Sequence, residues 1–145
     1  MIKSLNKNKI KFPKSKSVGK RPWGKEILLV LIPKVLTLKL LKIKKGFKGG
    51  LQYHRRKNEC GYLLSGKLIL RYVDKKGKII SKTLKKGSSF HIPPGAIHQE
   101  EAISDCQIIE ASSPHFNDRV RVEKFFGLKE IKGLPSTKLT DVKKL

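Results

Sequence analysis

From Trp23 onward, short runs rich in Ile, Leu and Val follow one another, separated by Gly, Pro and charged residues. Within one run, Leu36, Leu38 and Leu40 alternate with polar residues, which is the two-residue period of a strand with one buried face. Many short strands at this spacing predict an all-β sandwich or barrel. The predicted strands cover residues 27–32, 35–43, 51–54, 62–64, 67–73, 78–84, 88–92, 97–101, 106–111 and 120–122.

Turn residues divide these strands and suggest how the chain is organised. Ser65 and Gly66 between two apolar runs predict a hairpin, and residues 74–77 and 85–87 predict further turns. Residues 1–20 are rich in lysine and lack periodicity, so we expect a flexible basic arm there. A chain of 145 residues suits one domain, which we place at residues 21–127, with a C-terminal tail at 128–145.

The charge of the chain is strongly positive, with 34 Lys and Arg against 11 Asp and Glu and a formal net charge of +23. An anionic partner would explain this excess, and so would a solvated surface that is rich in lysine. The lysines are scattered and no dense arginine block occurs, so we expect neither a specific nucleic acid partner nor a membrane partner.

Cellular location is suggested by the cysteines and by the N-terminal sequence. Cys60 and Cys106 are too few and too far apart for a disulfide framework or a CxxC site. The first residues lack the apolar stretch of a signal peptide, and the longest apolar run, residues 27–33, is too short for a membrane span. We therefore expect a cytoplasmic protein with two free thiols.

Four polar residues stand out because they occupy or adjoin predicted strands. Gln52 and His54 are two apart in an extended segment and therefore face the same side. Glu59 begins the next strand, and His98 follows the rigid turn at residues 93–95. Two imidazoles, a carboxylate and an amide oxygen are suitable ligands for one divalent metal ion.

The spacing of these residues resembles the two sequence motifs of the cupin superfamily. The residues that match the first motif are Gly46, Gln52, His54, Glu59 and Gly66, and those that match the second are Gly87, Pro93, Gly95 and His98. Gln52 stands where the motif has its first histidine. The resemblance implies a single double-stranded β-helix, or jelly-roll barrel. It also implies a metal ion at the motif positions, and Zn, Mn, Fe, Co and Ni remain open.

A narrower resemblance extends over about residues 21–127. The segments RPWGKE (21–26), LQYHRRKNE (51–59) and NDRVRVEKFFG (117–127) are similar to the cupin half of type II mannose-6-phosphate isomerases, which is often fused to a mannose-1-phosphate guanylyltransferase domain. Arg55 and Arg56 stand where that family usually has histidine. The resemblance implies aldose–ketose isomerisation of a phosphorylated sugar, and cupins of this size commonly form homodimers.

Isomerisation requires an electrophile, a cationic site for the phosphate and a base. The metal would supply the first. For the phosphate we predict two arginines. Arg56 would lie on the same strand face as His54 if the strand stays regular. Arg121 matches the arginine of the family's VR position and is also a candidate catalytic residue.

For the base, Glu100 is the first candidate because it shares strand parity with His98 and would face the same cavity. Glu123 and His115 are alternatives that the sequence alone does not exclude.

Other functions fit the same residues. Two histidines and a carboxylate also suit a non-haem Fe(II) oxygenase. A cupin without catalysis, which binds a sugar or acts as a sensor, is a further possibility. Nucleic-acid binding through the basic surface is a fourth, although excess lysine produces such binding without specificity.

Overall fold

The computed structural model describes residues 9–134, which form two antiparallel sheets. The strands of the first half of the chain are β1 (Lys16–Arg21), β2 (Gly24–Ile32), β3 (Leu36–Ile43), β4 (Gln52–His54), β5 (Glu59–Ser65) and β6 (Lys67–Val73). Those of the second half are β7 (Ile79–Lys85), β8 (Ser89–Ile92), β9 (His98–Ala102), β10 (Cys106–Ser112) and β11 (Arg119–Arg121). One sheet has the order β1-β2-β3-β10-β5-β8 and the other β11-β4-β9-β6-β7. The predicted all-β jelly roll is confirmed.

Each predicted strand corresponds to an observed one, but the N-terminal arm was predicted to be too long. Lys16–Arg21 forms β1, which pairs antiparallel with β2 and has an irregular register between Ser17 and Lys20. β1 is itself the edge strand of its sheet, and backbone pairing with β2 on one side explains why Ser17 and Gly19 do not prevent a strand here. Residues 1–8 of the predicted arm and 135–145 of the predicted tail lie outside the described residues.

The predicted hairpin at Ser65 and Gly66 is wrong. β5 pairs with β8 and β10, whereas β6 pairs with β7 and β9, so the chain crosses between the sheets at Gly66. Gly66 has a φ of 90°, and a Cβ at this position would lie 2.2 Å from the carbonyl oxygen of Asp105. The glycine is therefore required by the sheet crossing, which a local sequence pattern does not distinguish from a hairpin.

The interior of the barrel is divided into an apolar half and a polar half. Ten buried residues form the apolar cluster: Leu41, Ile43, Leu63, Leu68, Leu70, Leu84, Ile92, Ala102, Cys106 and Ile108. Seven buried polar residues belong to the inward-facing positions of the other half: Glu26, Thr37, Lys39, His54, Glu59, His98 and Ser112. The apolar half supplies most of the stabilisation by burial, and the polar half holds the candidate site.

The outer face of the β1-β2-β3-β10-β5-β8 sheet is also apolar. Half-buried residues on it are Ile27, Val30, Leu38, Leu40 and Ile109. Tyr62 and Leu64 continue this face on β5 and are 45% and 37% exposed. The predicted homodimer stays a prediction, and this face is the surface that would bury apolar area in such a dimer.

Helical structure within residues 9–134 is confined to a 3-10 turn, Glu123–Phe126. No helix in that part of the chain has the length and apolar character needed to span a membrane.

Candidate metal centre and adjoining cavity

Three buried side chains converge inside the barrel: His54 at the end of β4, Glu59 at the start of β5 and His98 at the start of β9. Nε2 of His54 lies 3.7 Å and Nε2 of His98 lies 3.6 Å from Oε1 of Glu59. The candidate ligand atoms all lie within 4.8 Å of one another. Three of the four predicted ligands are therefore brought together as the sequence suggested.

The donor set and its geometry fit a divalent cation. Ligand atoms that bind one ion at about 2.0–2.2 Å lie about 3–4 Å apart, which matches the distances of 3.7 and 3.6 Å between Oε1 of Glu59 and the two Nε2 atoms. Burial lowers the pKa of His54 and of His98, so both rings are neutral near pH 7 and can donate a lone pair. We refer to His54, Glu59 and His98 as the metal triad.

Each imidazole of the metal triad is oriented by a hydrogen bond at its other nitrogen. Nδ1 of His54 donates to Oδ1 of Asp118 at 2.8 Å, and Nδ1 of His98 donates to the carbonyl oxygen of Ala96 at 3.0 Å. These bonds leave both Nε2 atoms unprotonated and directed toward Glu59. Such outer partners fix the ring tautomer and raise metal affinity.

Asp118 is itself held in place by the backbone. Its Oδ2 accepts hydrogen bonds from the backbone N–H groups of Arg56 at 2.8 Å and Lys57 at 2.7 Å. Burial acts to raise the pKa of Asp118, but these two donors and His54 outweigh it and hold the pKa below its ordinary value. Asp118 is therefore ionised and can orient His54 over a wide pH range.

Replacing Asp118 by asparagine is expected to weaken metal binding about ten- to a hundred-fold, because the orienting carboxylate of His54 is lost. Competition with a chromophoric chelator measures this affinity. Asp105→Asn is the matched control, since Asp105 caps the backbone N–H of Lys45 on the surface. Equal affinity of Asp118→Asn and wild type would contradict the orienting function.

A lysine occupies an unusual place beside the metal triad. Nζ of Lys57 contacts Oε2 of Glu59 and lies 2.8 Å from Oε1 of Glu110. Burial acts to lower the pKa of Lys57, but the two carboxylates outweigh it and raise the pKa above its ordinary value. Burial likewise acts to raise the pKa of Glu59, and Lys57 with the two histidines holds it low. The carboxylate is therefore ionised, with Oε1 directed at the histidines.

Gln52, the fourth predicted ligand, lies directly opposite His98 in the pairing of β4 with β9 and shares the strand face of His54. It is half-buried. Its assignment as a ligand stays a prediction.

Glu100 lies on the same face of β9 as His98, as its parity predicted. Burial raises the pKa of Glu100 to about 8, and the negative charges of Glu59 and Glu110 add to this effect. A carboxyl group near the metal triad therefore exchanges a proton near neutral pH.

The expectation that Arg56 points into the barrel is wrong. Strand β4 ends at His54, so the parity argument does not extend to Arg56, whose side chain is exposed. Its backbone N–H is directed toward Asp118 by the turn that follows the strand. Arg56 was predicted to bind the phosphate only if the strand stayed regular beyond His54, and the strand does not.

Arg121 is engaged in holding the C-terminal segment. Its Nε lies 3.0 Å from Oε1 of Glu123, its Nη2 contacts the same oxygen, and its Nη1 donates to the carbonyl oxygens of Ile131 at 2.7 Å and Leu134 at 3.3 Å. The Arg121 and Glu123 side chains are 4% and 2% exposed. This arrangement favours a structural function for both residues over the predicted catalytic and phosphate-binding ones.

A cavity of about 150 Å³ adjoins the metal triad at His54. Its charged lining residues are Arg21, Glu26, Lys39, Lys57, Asp118 and Arg119. His115 also lines it and shares a 2.9 Å hydrogen bond with Ser113, so this candidate base borders the cavity without belonging to the metal triad.

Three charged residues that contact the metal triad or line the cavity were not predicted from sequence: Lys57, Asp118 and Arg119. Asp118 is 64 residues from His54 along the chain, and only the pairing of β11 with β4 brings them together. The segment NDRVRVE could have indicated them, because Asp118 and Arg119 come shortly before Arg121, which was predicted to bind the phosphate.

Comparisons with known proteins agree with this architecture. Residues 39–112 match the family described as cupin domain. Among curated proteins, the probable germin-like protein subfamily 2 member 5 of Arabidopsis thaliana is 38% identical over 52 residues, covering 36% of this chain and 24% of that protein.

Solved structures with the same fold include two proteins of larger size. The capsular polysaccharide assembling protein CapF of Staphylococcus aureus gives a TM-score of 0.64 at 21% identity over 77% of this chain and 35% of that one. Oxalate decarboxylase of Bacillus subtilis gives a TM-score of 0.64 at 17% identity over 86% of this chain and 38% of that one. The chain spans well under half of each of these three proteins, and the two structural likenesses show the fold. The family match over about half of the sequence, together with the two-sheet jelly roll, shows that this chain belongs to the cupin family.

Proposed function

We propose that this cupin is a metal-dependent enzyme that moves a proton between adjacent carbons of a sugar-like substrate, as in aldose–ketose isomerisation. The observation that carries the proposal is the convergence of His54, Glu59 and His98, with the Glu100 carboxyl on the same face of β9. A divalent ion bound to the metal triad would polarise the substrate carbonyl.

The remaining steps belong to side chains of this chain. Asp118 and Ala96 keep both imidazoles in the tautomer that binds a metal, and Lys57 fixes the outer oxygen of Glu59. In this proposal Glu100 takes a proton from the hydroxyl-bearing carbon beside the carbonyl and returns it to the carbonyl carbon, while the proton of that hydroxyl passes to the carbonyl oxygen. One carboxylate can perform both transfers, and the proton that it holds between them exchanges with water, so the reaction introduces deuterium from D₂O into the substrate.

Mannose-6-phosphate is the first substrate to assay, because the segments PWG, Gln-x-His and VRVE resemble those of mannose-6-phosphate isomerases. The two arginines predicted to bind the phosphate occupy other positions. Arg56 is exposed, and Arg121 is engaged with Glu123 and the C-terminal segment. We therefore propose the reaction class without a phosphate-binding residue.

Glu100→Gln is expected to slow proton transfer about 10²–10⁴-fold, because the amide cannot accept the proton. The measurement is incorporation of deuterium from D₂O into mannose-6-phosphate or free mannose by the metal-loaded protein, followed by NMR. Glu101→Gln is the matched control, since Glu101 is the next residue of β9 and pairs with Arg71. Exchange that survives in Glu100→Gln would exclude Glu100 as the base. Absence of exchange in metal-loaded wild type with either sugar would contradict isomerisation of these substrates.

A second candidate is a non-haem Fe(II) oxygenase, which the two histidines and one carboxylate of the metal triad also suit. Anaerobic loading with Fe(II) followed by oxygen-uptake measurements distinguishes the two reactions. Oxygen consumption coupled to substrate loss, without deuterium exchange, would favour the oxygenase.

A further inference from the structure

The cavity beside His54 contains four cationic side chains, and three of them have carboxylate partners. Nε of Arg21 lies 3.2 Å from Oε2 of Glu26, and Nζ of Lys39 lies 2.7 Å from Oε1 of the same carboxylate. Lys57 pairs with Glu110 and Glu59, as described above. The positive charges of these three residues are therefore balanced inside the protein.

Arg119 is the exception. Its side chain makes no hydrogen bond or ion pair with any of residues 9–134, and its Nε is buried without a partner. Burial of the Arg119 guanidinium outweighs the favourable charges of Glu59, Glu26 and Glu110, so a desolvation cost remains at the nitrogen that lacks a hydrogen-bond partner. In proteins this cost is normally offset by a planar oxyanion that accepts two parallel N–H bonds.

The guanidinium of Arg119 lies on the side of the sheet that carries the metal triad. Arg119 lies directly opposite His54 in the pairing of β11 with β4, so both side chains project from the same face of the sheet. Both residues also line the cavity. A ligand that reaches Arg119 is therefore adjacent to the triad.

From these observations we propose that Arg119 binds a carboxylate group of the substrate while an oxygen elsewhere on the substrate faces the metal triad. The proposal rests on the metal-dependent function given above and names its substrate class as a sugar acid or similar hydroxy acid. A carboxylate fits better than a phosphate, because one guanidinium presents two parallel N–H donors to the two oxygens of a carboxylate, and the other cations of the cavity, which a third phosphate oxygen would need, already have partners.

Two anionic probes and one neutral probe with the same carbon skeleton test the choice between a carboxylate and a phosphate. D-mannuronate carries a carboxylate where mannose-6-phosphate carries a phosphate, and mannose carries neither charge. Each is titrated into Zn-loaded protein, and binding is followed by NMR of the arginine Nε–H signals and by calorimetry. We expect D-mannuronate to bind most tightly and to shift the Arg119 signal.

Arg119→Gln is expected to weaken D-mannuronate binding about ten- to a hundred-fold, to the level of mannose, with partial recovery in Arg119→Lys. Arg71→Gln is the control, because Arg71 lies on β6, pairs with Glu101 and does not line the cavity. Metal content is measured in every sample. Unchanged D-mannuronate binding by metal-loaded Arg119→Gln would overturn the proposal, and tighter binding of mannose-6-phosphate would overturn the choice of a carboxylate. Failure of wild type to bind metal would instead contradict the proposed function.

Discussion

Replacing His98 by alanine is expected to weaken divalent-metal binding by about a hundred-fold or more, since one of three converging ligands is removed. Binding free energies of about 10–16 kcal/mol at four-ligand zinc sites correspond to roughly 3 kcal/mol per ligand, and 1.4 kcal/mol is tenfold. The measurement is a chelator competition with Zn²⁺ or Co²⁺ on purified protein. The variant is also expected to lose all metal-dependent deuterium exchange.

His98 is a better choice than His54 for this test, because the loss of His54 would also leave the buried carboxylate of Asp118 without its imidazole partner. His98 by contrast bonds only the carbonyl oxygen of Ala96 through its second nitrogen. His91→Ala is the matched control, since His91 is exposed on β8 and bonds Asn58. If both variants lost metal equally, or if neither lost metal, the assignment of His98 as a metal ligand would be wrong.

Removing the Arg121 side chain is expected to destabilise the protein by about 3–5 kcal/mol, which is typical when one partner of a buried ion pair is deleted. In Arg121→Met, the carboxylate of Glu123 stays buried without its cation, and the carbonyl oxygens of Ile131 and Leu134 lose their donor. Urea unfolding followed by circular dichroism measures the difference in free energy of unfolding.

The exposed pair of Lys124 and Glu130 provides the comparison for that experiment. Its atoms are 3.6 Å apart, and the side chains are 82% and 44% exposed. Lys124→Met is therefore expected to change the free energy of unfolding by no more than about 0.5 kcal/mol. If Arg121→Met were as stable as Lys124→Met, the structural function of Arg121 would be wrong, and its original assignment to the substrate would regain support.

The metal triad was predictable from sequence because its determinants are local. His54 lies at the end of one strand and Glu59 at the start of the next, so their spacing is set by a short turn. The turn at residues 93–95 fixes the start of β9 and therefore His98. Alternation along β9 was also sufficient to place Glu100 on the inner face.

The site residues that were missed or misplaced depend on pairings between distant strands or on where a strand ends. Asp118 and Arg119 reach the site only because β11 pairs with β4. Arg56 was placed inside on the assumption that β4 continues, but the strand ends two residues earlier so that the chain can turn toward β5. Arg121 stands at the position of the arginine in the family motif. Its N–H groups are nevertheless bonded to Glu123 and to the backbone of the C-terminal segment.

The crossing between sheets at Gly66 has the same origin. A glycine between two apolar runs has the same local appearance in a hairpin and in a crossing, because a positive φ is compatible with both. Only the distant partners β10 and β9 determine which sheet each strand joins.

The most direct test of the metal centre is anomalous diffraction from crystals of the zinc-loaded protein, measured on both sides of the zinc absorption edge. We expect one strong peak inside the barrel at about 2.0–2.2 Å from Nε2 of His54, Nε2 of His98 and Oε1 of Glu59. Zinc bound only at the surface, or an empty triad in crystals grown with excess zinc, would contradict the central claim.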